Sequence, residues 1–545
     1  MRHSIPKSID LLTISILILC GLFLFGIFGV NFHSVNFYNF DIYSDVIVAR
    51  YIAESGTFFP SHWMFGNQFY VVATPALAAL LYGICHNIYL SMSIAATVMS
   101  LMIWISFAWC IRPFAARKSI AVGLLCLMGG TILGNSAALD ITGLQVFYTM
   151  ASYYSCYIIG IFLTLGVWLR LFFHKNVRWY TLLLCLLFNF GLGMQSLREM
   201  LVLNLPLVAL SLMILFADKF FYHNAVRVFA PHNSFTLCAL GANTIGCILI
   251  RLLTKALPLS QHEIITPVEA SLVDNFIHTL GSFLRYIGLL VYDFSFFHIF
   301  RFSVGIFCVC TILWVLIHVI KTKSRTPLVF LILWCIISIG AVICAGITVI
   351  SVRDIYFFVW YILVSLCFVY AANYFLRSQR GLLVILAIVS SISWCCHFFP
   401  DFLDFSQKTL FYQTIADTLQ EDGVEYVYYQ IWNNFDASQI AACTDSSIEF
   451  CGITTNPNNF TNDDLLTRIP YLYSKQWFQL ENLEKSYLLL NDIQLNLLKQ
   501  EENKSFINTL LSHLVLEHQF SFEDTEYYFY SIDQALFLDM IDMSH

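Results

Sequence analysis

The sequence predicts an α-helical protein that crosses a membrane many times and carries a small α/β domain at its C-terminal end. Of its 545 residues, 59% are hydrophobic and 12% are charged, whereas soluble proteins average roughly a quarter charged residues. Apolar runs of about 20 residues, the length that crosses a hydrocarbon core of roughly 30 Å, recur between residues 9 and 399. The charge then changes sign, because residues 1–399 hold 22 Lys and Arg against 12 Asp and Glu, and residues 400–545 hold 6 against 23.

The basic residues predict how the chain is threaded. The first run, residues 11–30, follows Arg2 and Lys7; it is too long for a signal peptide and lacks a small-residue cleavage site, so we interpret it as an uncleaved anchor with a cytoplasmic N-terminus. Short cytoplasmic loops concentrate Lys and Arg, and threading helices between the basic clusters predicts eleven spans. The clusters are Arg2/Lys7, Arg112/Arg117/Lys118, Lys175/Arg178, Lys219/Arg227, Lys321/Lys323/Arg325 and Arg377/Arg380. The predicted spans are residues 9–31, 88–111, 119–139, 148–172, 180–197, 200–217, 234–254, 300–320, 327–349, 355–375 and 381–399.

Two apolar segments do not fit this threading as spans. Making residues 69–86 a span would move Arg112, Arg117 and Lys118 to the outside and invert every later basic cluster. Residues 276–297 are interrupted too often by polar side chains to face lipid. We therefore predict that both are interfacial or re-entrant helices on the outer side.

The tail, residues 400–545, then lies outside the cytoplasm and is predicted to form the α/β domain. Phe411, Ile415 and Leu419 fall on one helical face before the glycine at position 423, and β-rich runs follow at residues 424–432, 447–453 and 525–532. Most of the 17 cysteines lie in apolar runs and are expected to be buried. Cys443 and Cys451 could form a disulfide in an oxidising space or remain free thiols, and the sequence leaves both open.

The threading collects ionisable residues on the outer face, many at helix ends. Such groups are costly near a bilayer unless they pair or line a wet cavity, so together they suggest a functional site. For any one of them, anchoring of a helix end is the simpler interpretation. The set is Asp41, Asp45, Arg50, Glu54, His62, Asp140, Arg198, Glu199, Arg285, Arg353 and Asp354.

The segment after the first span, residues 36–63, has a recognisable spacing. Asp41 is followed by Ala49-Arg50, Ser55-Gly56 and Pro60. This resembles the first external loop of the GT-C membrane glycosyltransferases, in particular the branch with protein O-mannosyltransferases and lipid A aminoarabinose transferases. Asp41 matches the catalytic carboxylate of that family. The family's second acidic residue directly follows the first, whereas here that position is Ile42 and Asp45 is the nearest substitute, so either aspartate remains a candidate base.

The resemblance implies an inverting transferase that uses a polyprenyl-phosphate sugar. One aspartate would take a proton from the acceptor hydroxyl as it attacks the anomeric carbon, and cations would stabilise the departing phosphate. Arg353, before aromatic residues in a late external loop, and Arg198 are the candidates for that phosphate. Pairing with the neighbouring acids, Asp354 and Glu199, or snorkelling is the structural alternative.

His62, Trp63 and Glu54 are predicted to line the pocket for the sugar or the acceptor. Interfacial anchoring is the commoner role for such a His-Trp pair. The sequence has no Asp-x-Asp pair, no glycine-rich phosphate loop and no Walker motif, so a soluble nucleotide sugar and direct use of ATP are not expected. No cysteine or histidine spacing predicts a metal site, although Asp41 and Asp45 near a phosphate could share a divalent cation.

The predicted partners are therefore a polyprenyl-phosphate-linked sugar, a glycan, lipid or protein acceptor, and the lipid bilayer of a bacterial inner membrane. Nucleic acid is not expected, because the exposed tail is acidic. Two other functions stay open: a transporter or flippase of lipid-linked glycans, and an O-antigen-type polymerase or ligase. Transporters often have repeated halves and charges at mid-membrane, and neither pattern is evident in this sequence.

Overall fold

The computed structural model shows a mostly helical chain with a mixed β-sheet near its C-terminal end. It describes residues 11–33, 40–129, 154–220, 228–257, 259–261, 271–290, 296–350, 352, 354–375, 405–430, 436–444, 447–454, 466–468, 472–478, 485–500, 505–522, 524–539 and 541–542.

Thirteen helices are described before residue 376. They are α1 (Leu11–His33), α2 (Phe40–Ser55), α3 (Thr74–Cys85), α4 (Ile88–Ile111), α5 (Arg117–Gly129), α6 (Ser155–Phe172), α7 (Trp179–Gln195), α8 (Leu205–Phe220), α9 (Pro231–Ala256), α10 (Leu272–Tyr286), α11 (Phe296–Thr322), α12 (Pro327–Thr348) and α13 (Val359–Phe375). A π-helix, Met200–Asn204, leads into α8, and a 3₁₀ turn, Asp354–Phe357, precedes α13.

Six stretches of the described residues are helical, long enough and apolar enough to cross a membrane. They are Ile88–Ile111, Ser155–Phe172, Met200–Phe220, Pro231–Ala256, Phe302–Thr322 and Pro327–Thr348. The predicted spans 180–197 and 355–375 coincide with α7 and α13, which are shorter apolar helices of 17 residues each. The span predicted at 381–399 lies outside the described residues, so a count of eleven is not confirmed.

Local capping explains why the predicted interfacial segments are short helices. Helix α3 starts with Pro75 in its first turn and ends at His86 in a left-handed conformation, and Asn87 then caps α4 by accepting from the Leu90 amide at 2.9 Å. Twelve residues make a helix about 18 Å long, which is less than the roughly 30 Å of a hydrocarbon core. Helix α10 begins earlier than predicted because Ser271 caps it, and its 15 residues are also too few to span.

The C-terminal region combines helices with a seven-stranded sheet. Its helices are α14 (Phe405–Glu421), α15 (Asp436–Cys443), α16 (Asp492–Gln500), α17 (Ser505–His513) and α18 (Gln534–Asp539). Its strands are β3 (Tyr426–Gln430), β4 (Glu449–Thr454), β5 (Leu466–Arg468), β6 (Tyr473–Ser474), β7 (Ser486–Asn491), β8 (Val515–Phe522), β9 (Thr525–Ser531) and β10 (Ile541–Asp542). Seven of these strands form the sheet, in the order β10-β5-β4-β3-β7-β9-β8, and β6 belongs to a second sheet.

The helix and the three strands predicted for the tail are all present. Ile415 and Leu419 of α14 are fully buried, and Gly423 follows the helix with a φ of +66°, the left-handed conformation in which many helices stop at a glycine. The strands β3 and β9 fall within the predicted β-rich runs, and β4 extends one residue beyond its run. Cys443 and Cys451 form no disulfide in the structure.

A second, smaller sheet connects the C-terminal region to the helices. Its order is β2-β1-β6, where β1 is Trp63–Phe65 and β2 is Ser260–Gln261. Strand β1 pairs parallel with β2 and antiparallel with β6. Three segments far apart in sequence therefore meet in one sheet.

A polar cluster on the C-terminal region allows a prediction about pH. The Asp422 carboxylate accepts from the Tyr487 hydroxyl at 2.7 Å and contacts His518 Nε2 at 2.5 Å. The Tyr487 hydrogen bond, followed by the bond to His518 and the charges of His518 and Lys485, lowers the pKa of Asp422 below its usual 3.8, although partial burial opposes this. The ionised Asp422 carboxylate therefore stabilises the folded state above pH 3.8, and this contribution is lost as the pH falls through the depressed pKa.

We expect Asp422→Asn to lower the melting temperature slightly at pH 7, by an amount that corresponds to about 1 kcal/mol or less. Thermal unfolding of both proteins should show the difference shrinking toward pH 3. A difference that stayed constant down to pH 3 would contradict this role of the ionised carboxylate.

Candidate functional site

The segment that resembles the first GT-C loop forms helix α2, which is deeply packed. Every residue from Tyr43 to Ile52 is buried, and Asp45 has no exposed surface. Asp41 lies in the first turn of α2, four residues before Asp45, so the two positions share one face of the helix. The Asp41 side chain lies outside the part that the structure describes, so its role stays a prediction.

Arg50, on the third turn of α2, connects this helix to the C-terminal region. Its guanidinium forms an ion pair with Glu449 on β4 and lies 3.8 Å from the Glu54 carboxylate. Burial has the largest single effect and lowers the pKa of Arg50, but the charge of Glu449 together with smaller contributions from Tyr51, Tyr43 and Glu54 outweighs it, so the net pKa is raised. Burial also raises the pKa of Glu54, and the charge of Arg50 partly reverses this rise.

His62 and Trp63 lie where β1 meets the C-terminal region. The His62 ring contacts the Tyr51 ring edge-on at 4.5 Å, and burial, followed by the charge of Lys475, lowers its pKa. Trp63 is fully buried and packs edge-on against Trp477 at 5.9 Å. Both residues are thus part of this packed contact, and their predicted place in a sugar pocket is left as a prediction.

The chain after β1 leads directly to Arg198. The Phe69 amide donates to the Gln195 carbonyl at 3.0 Å, which joins this segment to the end of α7. Gln68 is almost fully buried, and its Oε1 accepts from Arg198 Nη1 and from the Tyr157 hydroxyl, at 3.4 Å each. The sequence did not single out Gln68, Tyr157 or Gln195, although each is a polar group in an apolar stretch.

Arg198 lines a cavity of about 590 Å³, a volume that includes its open mouth. The walls are largely apolar or aromatic, and Arg198 and Glu199 are the charged groups among the lining residues described. The Arg198 guanidinium lies over the Tyr154 ring, 5.6 Å from its centre. The apolar and aromatic lining includes Tyr154, Tyr157, Leu201, Val202, Val342 and Phe358.

The same cavity is lined by Val352 and Tyr356, which lie on either side of Arg353 in the sequence. Arg353 and the side chain of Asp354 are outside the described residues. The late external loop predicted from the sequence therefore contributes Val352 and Tyr356 to the wall of the cavity. The convergence of Arg353 with Arg198 remains a prediction.

Glu199 is the second charged group of the cavity. It is fully buried, and among the described residues neither carboxylate oxygen has a hydrogen-bond partner. Gly160 of α6 leaves it room, because a Cβ there would lie 2.8 Å from Glu199 Oε1. The π-helix Met200–Asn204 starts directly after it, and such irregular turns occur frequently at functional sites.

A resident metal has no obvious ligand set in the described part of the chain, where no three His, Cys, Asp or Glu side chains gather. A cation shared by Asp41 and Asp45 would need the Asp41 carboxylate and stays a prediction. The described groups are instead suited to an amphiphilic anion, since a guanidinium binds phosphate and apolar walls accept a hydrocarbon chain.

Comparison with known proteins assigns the fold. No family model matches the sequence, and no curated protein matches it. The structure is similar to the crystal structure of ArnT from Cupriavidus metallidurans bound to undecaprenyl phosphate, with a TM-score of 0.51 and 8% sequence identity. The similarity covers 94% of this chain and 97% of that one. The chain therefore shares the overall fold of that ArnT structure, which supports, at the level of fold alone, the resemblance seen in its first loop.

Proposed function

We propose that this protein is an inverting glycosyltransferase that moves a sugar from a polyprenyl-phosphate donor to an acceptor outside the cytoplasm. The observation that carries the proposal is the cavity beside Arg198, which combines apolar walls with a cation in a GT-C-like fold. The ArnT structure with the same fold is bound to undecaprenyl phosphate. A chemically similar ligand suits the cavity described above.

The lining of the cavity is suited to the head of the donor, because it combines a guanidinium with apolar and aromatic walls, as ligand sites commonly combine a few polar groups with an apolar lining. In the proposal, Arg198 holds the phosphate and the walls bury the first isoprene units, at roughly 25 cal/mol for each Å² of apolar surface removed from water. The rest of the polyprenyl chain lies in the bilayer.

The proposed reaction needs a base and a phosphate site. The carboxylate of Asp41 or Asp45 takes the proton of the acceptor hydroxyl, whose oxygen attacks the anomeric carbon from the side opposite the phosphate. The bond from that carbon to the phosphate oxygen breaks, and the electron pair leaves with the polyprenyl phosphate. Arg198, with Arg353 as the second proposed cation, stabilises the charge that develops there.

The proposal includes a location and a division of the chain. Residues 1–399 form the membrane domain and residues 400–545 an extracytoplasmic α/β domain, in a bacterial inner membrane with the N-terminus in the cytoplasm. The acceptor is a cell-surface glycan, a lipid or a protein. Six apolar helices of spanning length among the described residues and the GT-C-like fold support a multi-pass membrane protein.

The direct test is to purify the protein and supply a panel of polyprenyl-phosphate sugars with candidate acceptors. Sugar transfer with release of polyprenyl phosphate and inversion at the anomeric carbon is the expected result. Translocation of labelled lipid across proteoliposomes without any transfer would favour the flippase instead. Absence of transfer with every donor in the panel, while the lipid phosphate still binds, would contradict the transferase.

Arg198→Gln should weaken donor use. Charge-assisted hydrogen bonds contribute about 1.5–3 kcal/mol, so we expect the apparent KM for the polyprenyl-phosphate sugar to rise roughly 10- to 100-fold. Arg353→Ala should act in the same direction. The measurement is the dependence of transfer rate on donor concentration.

Arg178→Gln is the matched control, because Arg178 is exposed and its guanidinium contacts the Tyr180 hydroxyl away from the cavity. Its donor dependence should equal that of the wild type. If Arg198→Gln also left the donor KM unchanged, Arg198 would not be part of the donor site.

A further inference from the structure

The C-terminal region contacts α2 through one face of that helix. Arg50, whose exposed fraction is only 6%, pairs with Glu449 on β4. The Tyr51 hydroxyl donates to the same Glu449 oxygen at 3.3 Å and accepts from Trp477 Nε1 at 3.2 Å. We call these four residues, Arg50, Tyr51, Glu449 and Trp477, the α2 junction.

Two more contacts extend the attachment to the start of α2. The Ser44 hydroxyl donates to the Leu472 carbonyl at 3.4 Å, and the Tyr43 ring packs edge-on against Phe450 at 6.4 Å. The contacts at Tyr43 and at Arg50 are seven residues apart, so they lie on the same face. The C-terminal region therefore contacts α2 over about two turns.

This face lies opposite the two candidate bases. At about 100° per residue, Arg50 is roughly half a turn around the helix from Asp41, and Asp45 lies only about 40° from Asp41. The junction thus holds the back of the helix, while the front carries the aspartates. A shift of the junction would move the aspartates as a rigid unit with α2.

The C-terminal region also holds the segment that follows α2. Strand β6 pairs with β1, the Leu472 amide donates to the Met64 carbonyl at 2.7 Å, and the Lys475 amide donates to the His62 carbonyl at 2.9 Å. The Lys475 ammonium also contacts the Ser260 hydroxyl of β2. One short stretch, residues 472–478, therefore contacts both α2 and the strand after it.

We propose that the C-terminal region is a working part of the transfer site, and that Glu449 is a positioning residue that fixes α2 where its aspartates can reach the acceptor. A domain that served only as a cap could contact any exposed surface of the helices. Here the contacts fall along α2 from Tyr43 to Tyr51 and on the strand that follows it, so the helix that carries the candidate bases is held over about two turns. The inference rests on the proposed transferase function.

The test compares Glu449→Gln with Glu517→Gln. Glutamine keeps the shape of Glu449 and removes its charge, and Glu517 lies on β8, four strands away from β4 in the sheet. Misplacement of a catalytic group by about 1 Å costs on the order of 100-fold in rate. We expect kcat per folded molecule to fall roughly 10- to 100-fold for Glu449→Gln, with the donor KM and undecaprenyl phosphate binding unchanged, and no change for Glu517→Gln.

Two further variants separate positioning from loss of folding. Exchange of the charges, with Arg50→Glu and Glu449→Arg together, should recover part of the kcat that Glu449→Gln loses. Trp477→Phe removes the hydrogen bond to Tyr51 and part of the packing against Trp63, and it should lower kcat in the same direction, so the proposal can be tested even if the exchanged protein does not fold.

If Glu449→Gln and Trp477→Phe lower the melting temperature but keep the wild-type kcat per folded molecule, the C-terminal region is only a cap and the proposal is wrong. That outcome would leave the transferase function intact. Failure of the wild-type protein to transfer any sugar is a separate result, since it would remove the proposed function itself.

Discussion

Asparagine at Asp41 or Asp45 is expected to abolish sugar transfer without lowering the amount of folded protein. Asparagine has the same shape as aspartate but no basic oxygen, and a general base contributes about 10²–10⁴ in rate. Because Asp45 is fully buried and a base has to touch the acceptor hydroxyl, we expect the larger loss at Asp41. The measurement is the transfer rate per folded molecule with saturating donor.

The control for these variants is Asp524→Asn, which makes the same chemical change at an exposed turn between β8 and β9. It should retain full activity. Normal transfer by both single variants and by the double variant would place the reaction elsewhere in the protein. Loss of transfer activity in Asp45→Asn but not in Asp41→Asn would identify Asp45 as the base and correct our expectation for Asp41.

Hydropathy and charge predicted the positions of the helices well, because the apolar run that marks a helix consists of that helix's own residues. The span predicted at 88–111 coincides with α4, and those at 327–349 and 200–217 differ from their helices by a few residues. The tail helix and strands were found for the same reason, since period and a glycine stop are local signals. Membrane topology is a global property, and the predicted count of eleven spans was not confirmed.

The site was only partly predictable. Arg198 was chosen from the sequence, but the cavity beside it is built from four separate segments, and Gln68, which lies in none of them, contacts both Arg198 and Tyr157. Pairing of Arg198 with its neighbour Glu199 was the structural alternative to a role at the phosphate, whereas the structure buries Glu199 against α6. Local pattern carries no information about which distant segments will meet.

The α2 junction shows the same limit more clearly. Arg50 and Glu449 are 399 residues apart, and Glu449 sits in an ordinary β-rich run. The sequence showed that Arg50 belonged to a motif and that the tail carried an acidic excess. Only the three-dimensional fold shows that one acid of that tail pairs with Arg50.

Gly193→Ala is expected to destabilise the helical part of the protein strongly. Helices α7 and α9 cross where Gly193 faces the Asn243 carbonyl and Gly246 faces the Phe190 carbonyl, and a Cβ at either glycine would overlap that backbone oxygen. Small residues allow such close approach of helices in membranes. Backbone atoms cannot move aside as a flexible side chain does, so we expect the free energy of unfolding to fall by about 3 kcal/mol. This would be measured as a lower melting temperature in detergent.

The reason this crossing cannot relax lies in its polar contacts. Asn243 Nδ2 donates to the Asn189 carbonyl at 3.2 Å, and Asn189 Nδ2 donates to Thr164 Oγ1 of α6 at 2.8 Å. Separating α7 from α9 would break the first of these bonds in a buried setting, where a lost hydrogen bond costs about 1–3 kcal/mol. Gly246→Ala should therefore have an effect similar to that of Gly193→Ala.

Gly241→Ala provides a control on α9 itself. A Cβ at Gly241 meets nothing within 4 Å, and alanine is favoured over glycine inside a helix by roughly 0.5–1 kcal/mol. The melting temperature of Gly241→Ala should thus equal or exceed that of the wild type, opposite in sign to Gly193→Ala. Equal stability of all three alanine variants would mean that α7 and α9 do not cross as closely as described, because only close backbone contact makes these glycines differ.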